Sequence, residues 1–402
     1  MTTLVLYDDA RARTFEPFAL TRPVSELRAG TELIRRRWEH ALGVRATGFV
    51  AAPHLAQFDE LDAPSMIAGD LPAGTVIAQS RCVVSLTPIE RGATVWTCGG
   101  RVAAVRLPQA MPREAVVAGD ATLESMAPAG APSSEIGGWW MDDVWHFIRD
   151  LGAMLASDIA MRAGTLDTVT AAELGAAVLG SHPARVERGA SIEPYVVFDA
   201  SAGPILIRRG ATVAPFTRLV GPCYVGEDST VGGGRIAGTA VGEQCRVHGE
   251  VSASIFLGHA NKSHEGFVGH SYLGRWVNLG ASTVTSNLKN TYGPVTLWTP
   301  SGPRDTGMQF LGTFFGDHAK TAIGTRLTTG SVIGAGANVF GAEFAPKVVA
   351  PFAWGIASGA PTFEVDRFLA VAERMMGRRQ VTLGDRARQW LSAAYAARWQ
   401  VR

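Results

Sequence analysis

Histidines are concentrated in one stretch of the chain, where imidazoles could serve a metal ion or a proton transfer. Four of the nine histidines fall close together: His248, His259, His264 and His270. Imidazoles in a loop suit zinc or nickel, and Glu250 and Glu265 could complete a ligand set. A neutral imidazole can instead accept a proton from an attacking amine or hydroxyl near neutral pH. Ordinary loop histidines held by the backbone are the alternative to both.

His270 is the candidate general base among the four. It lies in the segment FVGHSYLGRWVNLGAST, where the preceding glycine allows a close approach of the backbone. Tyr272 offers a hydroxyl two residues later, and the next repeat is expected to bring Asn278 into the neighbouring turn. The segment therefore predicts a polar site around His270.

Composition limits the partners of such a site. The chain has 402 residues and a formal net charge of +1, with 18% charged and 47% hydrophobic residues. This balance gives no electrostatic reason to expect nucleic acid or an anionic membrane as a partner. The length predicts two or three domains.

The start of the chain bears on its location. Its first apolar run is short and is followed directly by Asp8 and Asp9. Because neither a secretory signal nor a membrane span fits that start, we expect a cytoplasmic protein.

An apolar residue recurs at every sixth position in the second half of the chain. The step runs through Ile207, Val213, Leu219, Val225 and Val231, and again through Phe315, Leu327, Ile333 and Val339, with Thr321 in one polar slot. Neither a helix nor a hairpin meander has this period, whereas a solenoid with one short strand on each flat face does. The repeat predicts a left-handed parallel β-helix of on the order of nine turns. A β-sandwich with coincidental spacing is the alternative.

The flanking sequence predicts two further parts. MTTLVLY reads as a strand, SELRAGTELIRRRWEHAL as a helix and RATGFVAA as the next strand, which is an α/β start. Two helical patterns close the chain. We therefore predict an α/β domain over 1–182, the β-helix over 183–360 and a C-terminal helical segment over 361–402. Polar, Gly-rich sequence at 258–276 and 286–310 interrupts the six-residue step and predicts loops that could carry a site.

The run GHSYLGRWVNLGASTVTSNLKN resembles the acetyltransferase segment of a known family of bifunctional enzymes. This is the N-acetylglucosamine-1-phosphate uridyltransferase/glucosamine-1-phosphate acetyltransferase (GlmU-like) family, and a divergent bacterial branch of sugar nucleotidyltransferases is more similar still. The resemblance is most specific over residues 250–293, and the same two-domain order extends it loosely to most of the chain. It implies a nucleotidyltransferase-like (Rossmann-like) N-terminal domain, a homotrimer, and acetyl-CoA lying between adjacent prisms.

The resemblance also assigns residues in the β-helix. His270 occupies the position of the general base that takes a proton from a sugar amine. Tyr272, Asn278 and Asn287 fall on positions that contact the sugar phosphate and the acetyl group. Glu250 matches a substrate-binding glutamate, whereas the lysine that follows it in the family is replaced here by Ser252, so Lys262 is the candidate for that charge. The backbone N–H groups of the turn at Gly280 and Ala281 are candidate donors to the developing oxyanion.

The N-terminal domain departs from the family at its phosphate-binding loop, where this sequence has no glycine. Three basic residues could still hold nucleotide phosphates, namely Arg11, Arg13 and Arg22, and a solvated basic face is the alternative. Asp70, in MIAGDLPAG, resembles the carboxylate that holds Mg²⁺ in nucleotidyltransferases, although Gly-Asp before Leu-Pro is also a common turn.

These observations predict an enzyme of sugar-nucleotide biosynthesis. The leading hypothesis is an acetyl-CoA-dependent N-acetyltransferase acting on an amino-sugar phosphate, preceded by a domain that makes or binds a sugar nucleotide. One alternative is a sugar-1-phosphate nucleotidyltransferase whose β-helix is purely structural. The other is a non-catalytic sensor of sugar nucleotides.

Overall fold

The protein consists of two compact units, seen in a computed structural model that describes residues 3–357 and 360–401. Unit 1 comprises the chain up to residue 146 together with 383–398, and unit 2 comprises 147–382 and 399–402. This division differs from the predicted boundaries, because residues 147–182 group with the β-helix and the last helix groups with the N-terminal unit.

Unit 1 is an α/β unit built on a mixed six-stranded sheet. Its strands are β1 (Leu4–Tyr7), β2 (Arg28–Ala29), β3 (Glu32–Leu33), β4 (Ala46–Val50), β5 (Val76–Gln79), β6 (Cys82–Val84), β7 (Val95–Cys98), β8 (Arg101–Arg106), β9 (Ser133–Glu135) and β10 (Gly138–Trp140). Its helices are α1 (Ile34–Leu42), α2 (Glu114–Val117), α3 (Leu123–Met126) and the start of α4 (His146–Arg149). The sheet order is β4-β1-β5-β8-β7-β9. The predicted strand–helix–strand start is confirmed, with β1 parallel to both β4 and β5.

The buried run of β1 explains its central place in the sheet. All four of its residues are buried, as expected for a parallel strand that is covered on both faces. The predicted helix is shorter than its pattern, because a two-stranded hairpin of β2 and β3 precedes α1. Gly30 lies between them with φ 61°, a left-handed conformation that ends any helix across this segment.

Unit 2 is the β-helix with helices around it. Its strands are β11 (Thr168–Thr170), β12 (Ala177–Leu179), β13 (Ala184–Glu187), β14 (Ser191–Ile192), β15 (Val197–Asp199), β16 (Ile205–Ile207), β17 (Thr212–Val213), β18 (Thr217–Val220), β19 (Cys223–Val225), β20 (Thr230–Ala237), β21 (Ala240–Val241), β22 (Arg246–Ser252), β23 (Ile255–Phe256), β24 (Asn261–Lys262), β25 (Phe267–Gly269), β26 (Tyr272–Leu273), β27 (Val284–Thr285), β28 (Thr296–Thr299), β29 (Gly302–Asp305), β30 (Phe314–Phe315), β31 (Lys320–Thr321), β32 (Arg326–Leu327), β33 (Val332–Ile333), β34 (Asn338–Val339) and β35 (Val348–Val349). Its complete helices are α5 (Leu151–Ala163) and α6 (Val365–Gly377), and α7 (Asp385–Ala396) belongs to unit 1. The predicted C-terminal helices are therefore confirmed.

Each coil of the β-helix passes over three faces. Face A carries the ladder β13-β16-β19-β21-β23-β26-β30-β33-β35. Face B begins at β14 and β17 and continues through the first halves of β20 and β22 to β24. Face C begins at β12, β15 and β18 and continues through the second halves of β20 and β22 to β25. The chain turns three corners per coil, which we call AB, BC and CA after the faces they join. The predicted left-handed parallel β-helix is confirmed.

The six-residue step supplies the interior of this prism. One stacked row on face A runs through Ile207, Val225, Val241, Phe256, Leu273, Phe315, Ile333 and Val349. All of these side chains belong to one buried apolar cluster. Burying each one contributes about 1.5–3 kcal/mol relative to leaving it exposed. Each coil thus adds a similar amount of stabilisation, because the neighbouring coils cover its inward side chains.

Only one of the two predicted loops leaves the solenoid. Residues 258–276 continue the coil through β24, β25 and β26, so the prediction of a loop there is wrong. Polar residues such as Lys262 occupy positions where neighbouring coils have apolar ones, so the six-residue pattern is not visible in this part of the sequence. The second segment does leave the solenoid, and it carries the antiparallel hairpin of β28 and β29. Within residues 3–357 and 360–401, every helix is too short or too polar to cross a membrane.

Candidate functional site

His270 and Asn287 meet at corner CA of two successive coils. His270 follows β25, Asn287 follows β27, and the His270 Nδ1 atom lies 2.8 Å from the Asn287 Nδ2 atom. Gly269 makes this approach feasible, because a Cβ there would lie 2.6 Å from Asn287 Nδ2. The structure therefore brings together two of the residues predicted for the acyl-transfer site.

The imidazole of His270 is held in a partly apolar setting. Its ring stacks on that of Phe310, with 5.4 Å between centroids and an interplanar angle of 25°. Burial lowers the pKa of His270 from its ordinary value of 6.5. The ring is therefore mostly neutral at pH 7, which is the form a general base requires.

Two other predicted residues of the β-helix, Lys262 and Glu250, lie elsewhere. Lys262 is buried on face B, where its Nζ donates to the carbonyl oxygens of His248 and His264 at 2.7 Å each. Burial lowers the pKa of Lys262 to about 8. Glu250 is exposed at the face C end of β22, beside Phe267. These two residues are not in contact with the His270–Asn287 pair.

Tyr272 is fully buried rather than presented to a ligand. It lies on face A, and its ring packs edge-on against Phe147 with 5.7 Å between centroids. Its neighbour Leu273 points into the interior of the prism. Tyr272 therefore joins the β-helix to the segment that precedes it.

The remaining predicted residues occupy face B and corner BC. Asn278 Oδ1 accepts a hydrogen bond from Asn261 Nδ2 at 2.7 Å. The Gly280 N–H is engaged with Thr321, at 3.1 Å from the carbonyl oxygen and 3.0 Å from the hydroxyl. Ala281 follows at the same corner and accepts from the Gly324 N–H at 2.8 Å. Neither Gly280 nor Ala281 shares a corner with His270 of the same chain.

The four neighbouring histidines do not converge. His248 Nδ1 lies 2.9 Å from the Gly232 carbonyl oxygen, and His264 is exposed. His259 is at corner AB, where its ring packs 4.3 Å from that of Trp276. The described part of the chain contains no group of three or more His, Cys, Asp or Glu residues that could hold a metal ion. The hypothesis of a histidine metal site therefore has no support in the geometry.

A second candidate site lies in unit 1, beyond the carboxyl ends of the parallel strands β1 and β5. A cavity of about 300 Å³ opens there. Arg81 lines it and forms ion pairs with Asp9 at 2.6 Å and Asp142 at 2.7 Å. Arg101 pairs with Asp142 at 3.0 Å and stacks 3.8 Å from the centre of the Trp140 ring. Burial opposes ionisation of Asp142, but the two guanidinium charges outweigh it and lower the pKa of Asp142. This edge of an α/β sheet is where ligands bind in open sheets of this kind.

The three predicted phosphate-binding arginines do not gather at this cavity. Only Arg11 lines it, and Arg11 pairs with Asp143 at 3.1 Å. Arg13 donates to the carbonyl oxygens of residues 8, 117 and 118. Arg22 is buried and pairs with Glu60 at 2.7 Å. Arg13 and Arg22 thus hold the fold together, and neither lies on a solvated basic face.

The three acidic residues that the sequence pointed to in unit 1, Asp8, Asp9 and Asp70, do not form a Mg²⁺ site. Asp70 is exposed and accepts the backbone N–H of Arg113 at 3.1 Å, which fits the turn interpretation. Asp9 is occupied by Arg81, and burial raises the pKa of Asp8 to about 7. A divalent cation prefers several ionised oxygen ligands around one point. Because these carboxylates are separate, paired or readily protonated, we derive no step through a metal.

Several residues around these sites carry no signal in the sequence. Arg81, Arg101 and Trp140 meet at the unit 1 cavity although they are far apart along the chain. Phe310 reaches His270 from the end of the segment that leaves the solenoid. Only the pair of tryptophans in GGWWMDD stands out as unusual in composition.

Comparisons with known proteins agree with this architecture. Residues 4–165 match the family described as sugar nucleotidyl transferase. The bifunctional protein GlmU of Jannaschia sp. is 34% identical over 106 residues, which is 25% of this chain and 22% of that protein. A bifunctional sugar-1-phosphate nucleotidylyltransferase/acetyltransferase of Sulfurisphaera tokodaii is 31% identical over 91 residues, 23% of each chain. GlmU of Methanocaldococcus jannaschii is 29% identical over 124 residues, 31% of this chain and 25% of that protein.

The chain thus combines a β-helix with a preceding segment that matches the sugar nucleotidyl transferase family over residues 4–165. These matches agree with the predicted resemblance to GlmU-like proteins, as a similarity over part of the chain. The matched segments span only about a quarter of the length of the curated relatives.

Proposed function

We propose that this protein is a bifunctional enzyme of sugar-nucleotide biosynthesis. In this proposal the β-helix transfers an acetyl group from acetyl-CoA to the amine of an amino-sugar phosphate, and unit 1 makes or binds a sugar nucleotide. The observation that carries it is the 2.8 Å contact between His270 Nδ1 and Asn287 Nδ2 at a partly apolar corner. Both residues fall on positions that the GlmU-like resemblance assigns to acyl transfer.

The tautomer of His270 decides whether the ring can act as a base. With Asn287 donating to Nδ1, the proton of the neutral ring lies on Nε2. A turn of the Asn287 amide by 180° exchanges its oxygen and nitrogen, and Oδ1 then accepts a proton from Nδ1. This second arrangement leaves the lone pair on Nε2, and it is the one that the proposal requires.

The chemistry then needs one proton acceptor and one set of oxyanion donors. His270 Nε2 removes a proton as the sugar amine attacks the thioester carbonyl, a C–N bond forms, the C–S bond breaks, and the proton passes to the departing thiolate. The Gly280 N–H is already held by Thr321, which leaves the Ala281 N–H as the candidate oxyanion donor. Because Ala281 lies at corner BC, it can serve this reaction only from a neighbouring protomer. The proposed homotrimer, with acetyl-CoA between adjacent prisms, meets that requirement.

Nucleotidyl transfer by unit 1 alone is a second candidate function. The cavity at the carboxyl ends of β1 and β5 and the family match over residues 4–165 favour it. Asp9 and Asp142 are paired with arginines, and the further carboxylates that line the cavity are Asp120 and Glu124. The described residues hold no group of three or more candidate metal ligands, so binding of a sugar nucleotide without transfer is the outcome that a sensing role predicts. The two units can be tested separately, since their substrates differ.

Thiol release from acetyl-CoA tests the proposal directly. Glucosamine 1-phosphate and a panel of amino-sugar phosphates serve as acceptors, with wild type, His270→Ala and the exposed neighbour His264→Ala as matched control. We expect His270→Ala to lose roughly 10²–10⁴-fold in rate, the usual contribution of a general base, and His264→Ala to retain activity. Equal rates in His270→Ala and wild type would reject the assignment and favour a structural β-helix. Pyrophosphate release with sugar 1-phosphates and nucleoside triphosphates tests unit 1 in the same preparations.

A further inference from the structure

A small cavity at corner AB carries positive charge without a balancing carboxylate. Its volume is about 80 Å³, several times the roughly 10–15 Å³ that one water needs. Arg246 of face B and Arg378 and Arg379, which follow α6, line it together with Asn278. No acidic side chain is among its lining residues. Within one chain this cavity is separate from the proposed acyl-transfer pair, since His270 and Asn287 lie at corner CA. Asn278 is the one lining residue that the resemblance also assigned to substrate contact.

The three guanidinium groups converge on one cavity without a carboxylate partner in the described part of the chain, and Arg246 and Arg378 are exposed to solvent. Within the described ranges of the chain, Arg246, Arg378 and Arg379 make no ion pair, whereas Arg275 pairs with Glu243 at 2.7 Å. Arg208 likewise pairs with two glutamates. Burial lowers the pKa of Arg379, and the charges of Arg246 and Arg378 lower it further. The three cations therefore repel one another where they converge, and an anion between them would relieve that repulsion.

Neutral donors complete the lining. Asn278 Oδ1 already accepts from Asn261, so the Nδ2 of Asn278 remains as a donor without a partner among the described residues. His259 also lines the cavity, and its Nδ1 atom lies 2.9 Å from an Arg275 nitrogen. The carboxyl-terminal dipole of α6 would stabilise Arg378 and Arg379 without any ligand. It does not account for Arg246, which comes from a strand.

We propose that this cavity binds a phosphate group, held by Arg246, Arg378 and Arg379 and by the side-chain amide of Asn278. Guanidinium groups match the oxygens of a phosphate in geometry as well as charge, which is why arginines dominate such sites. Inorganic phosphate and a phosphate ester present the same oxygens to the three arginines, so the site recognises the chemistry that both share. The inference does not rest on acyl transfer, because it concerns binding at a different corner.

Calorimetric titration with inorganic phosphate at constant ionic strength is the first test. We expect wild type to bind with a dissociation constant of roughly a millimolar or lower. Arg379→Gln and Arg246→Gln each remove one charge-assisted contact and should weaken binding roughly tenfold or more. Arg367→Gln is the matched control, because Arg367 belongs to α6 but pairs with Glu364 at 3.1 Å and does not line the cavity. Coenzyme A and glucosamine 1-phosphate, titrated in parallel, show whether an ester supplies the phosphate.

Melting temperatures give an independent readout on the same variants. Without phosphate, Arg379→Gln should raise the melting temperature, because it relieves repulsion between unpaired cations. Phosphate should then raise the melting temperature of wild type and of Arg367→Gln more than that of Arg379→Gln. A lower melting temperature of Arg379→Gln without phosphate would show that repulsion among the three cations is not the dominant effect at Arg379, and it would overturn the proposal. Absence of binding at millimolar concentrations of all three phosphate compounds, or equal weakening by Arg367→Gln, would overturn it as well.

Discussion

Replacing Asp8 by Asn should stabilise unit 1 at high pH and have little effect at low pH. Asp8 follows β1 and is buried, with Oδ2 accepting the Val24 N–H at 2.9 Å. Burial raises the pKa of Asp8 from 3.8 to about 7, while hydrogen bonds from Ser80 and Val24 offset only part of that effect. The amide oxygen of Asn can still accept from Val24, so the change removes a costly charge and keeps the contact.

The pH dependence follows from proton binding. Between pH 3.8 and about 7 the folded state holds a proton on Asp8 that the unfolded state has lost. The free energy of unfolding therefore falls as pH rises through this window and levels off above it. The difference between the two pKa values corresponds to about 4 kcal/mol at most, at about 1.4 kcal/mol per pH unit. We expect a gain of about 1–4 kcal/mol for the Asn variant at pH 8, because relaxation around a buried charge reduces the full value.

Calorimetric melting at pH 4 and pH 8 measures this effect as a difference between variant and wild type. Other titrating groups cancel in that difference, since both proteins share them. Asp59→Asn, at an exposed position of the same unit, is the matched control and should show the same melting temperature as wild type at both pH values. An equal gap between Asp8→Asn and wild type at both pH values, or a less stable variant at pH 8, would refute the reasoning.

Three further outcomes can be measured on the β-helix. Gly269→Ala would place a Cβ 2.5 Å from the Phe267 ring and 2.6 Å from Asn287 Nδ2, so acetyl transfer should fall about tenfold or more with only a modest change in melting temperature. Phe315→Ala removes a fully buried side chain and should cost about 3–5 kcal/mol in thermal or urea unfolding. Because burial lowers the pKa of His270, kcat/KM for acetyl transfer should rise with pH along a limb centred below pH 6.5, and a midpoint above that value would contradict the assigned base.

The fold of the second half could be predicted because one simple rule governs it. Each inward position must be apolar and each coil covers the next, so the step from Ile207 to Phe315 can be read without knowledge of distant residues. The rule failed at 258–276, where Asn261 and Lys262 occupy regular positions of face B. In unit 1 the site depends on Arg81 meeting Asp142, a contact that no local pattern encodes.

Corner positions explain why the candidate site could be predicted only in part. His259, His270, Trp276 and His318 all have positive φ, between 49° and 64°, at corners where glycine or asparagine would be least strained. Such a backbone costs on the order of 1–2 kcal/mol for a residue with a Cβ. The solenoid can bear this cost because its stacked interior fixes each corner. A bulky polar side chain in a corner slot of the repeat is therefore a signal in the sequence. Among the four clustered histidines, it selects His270 at corner CA and His259 at corner AB.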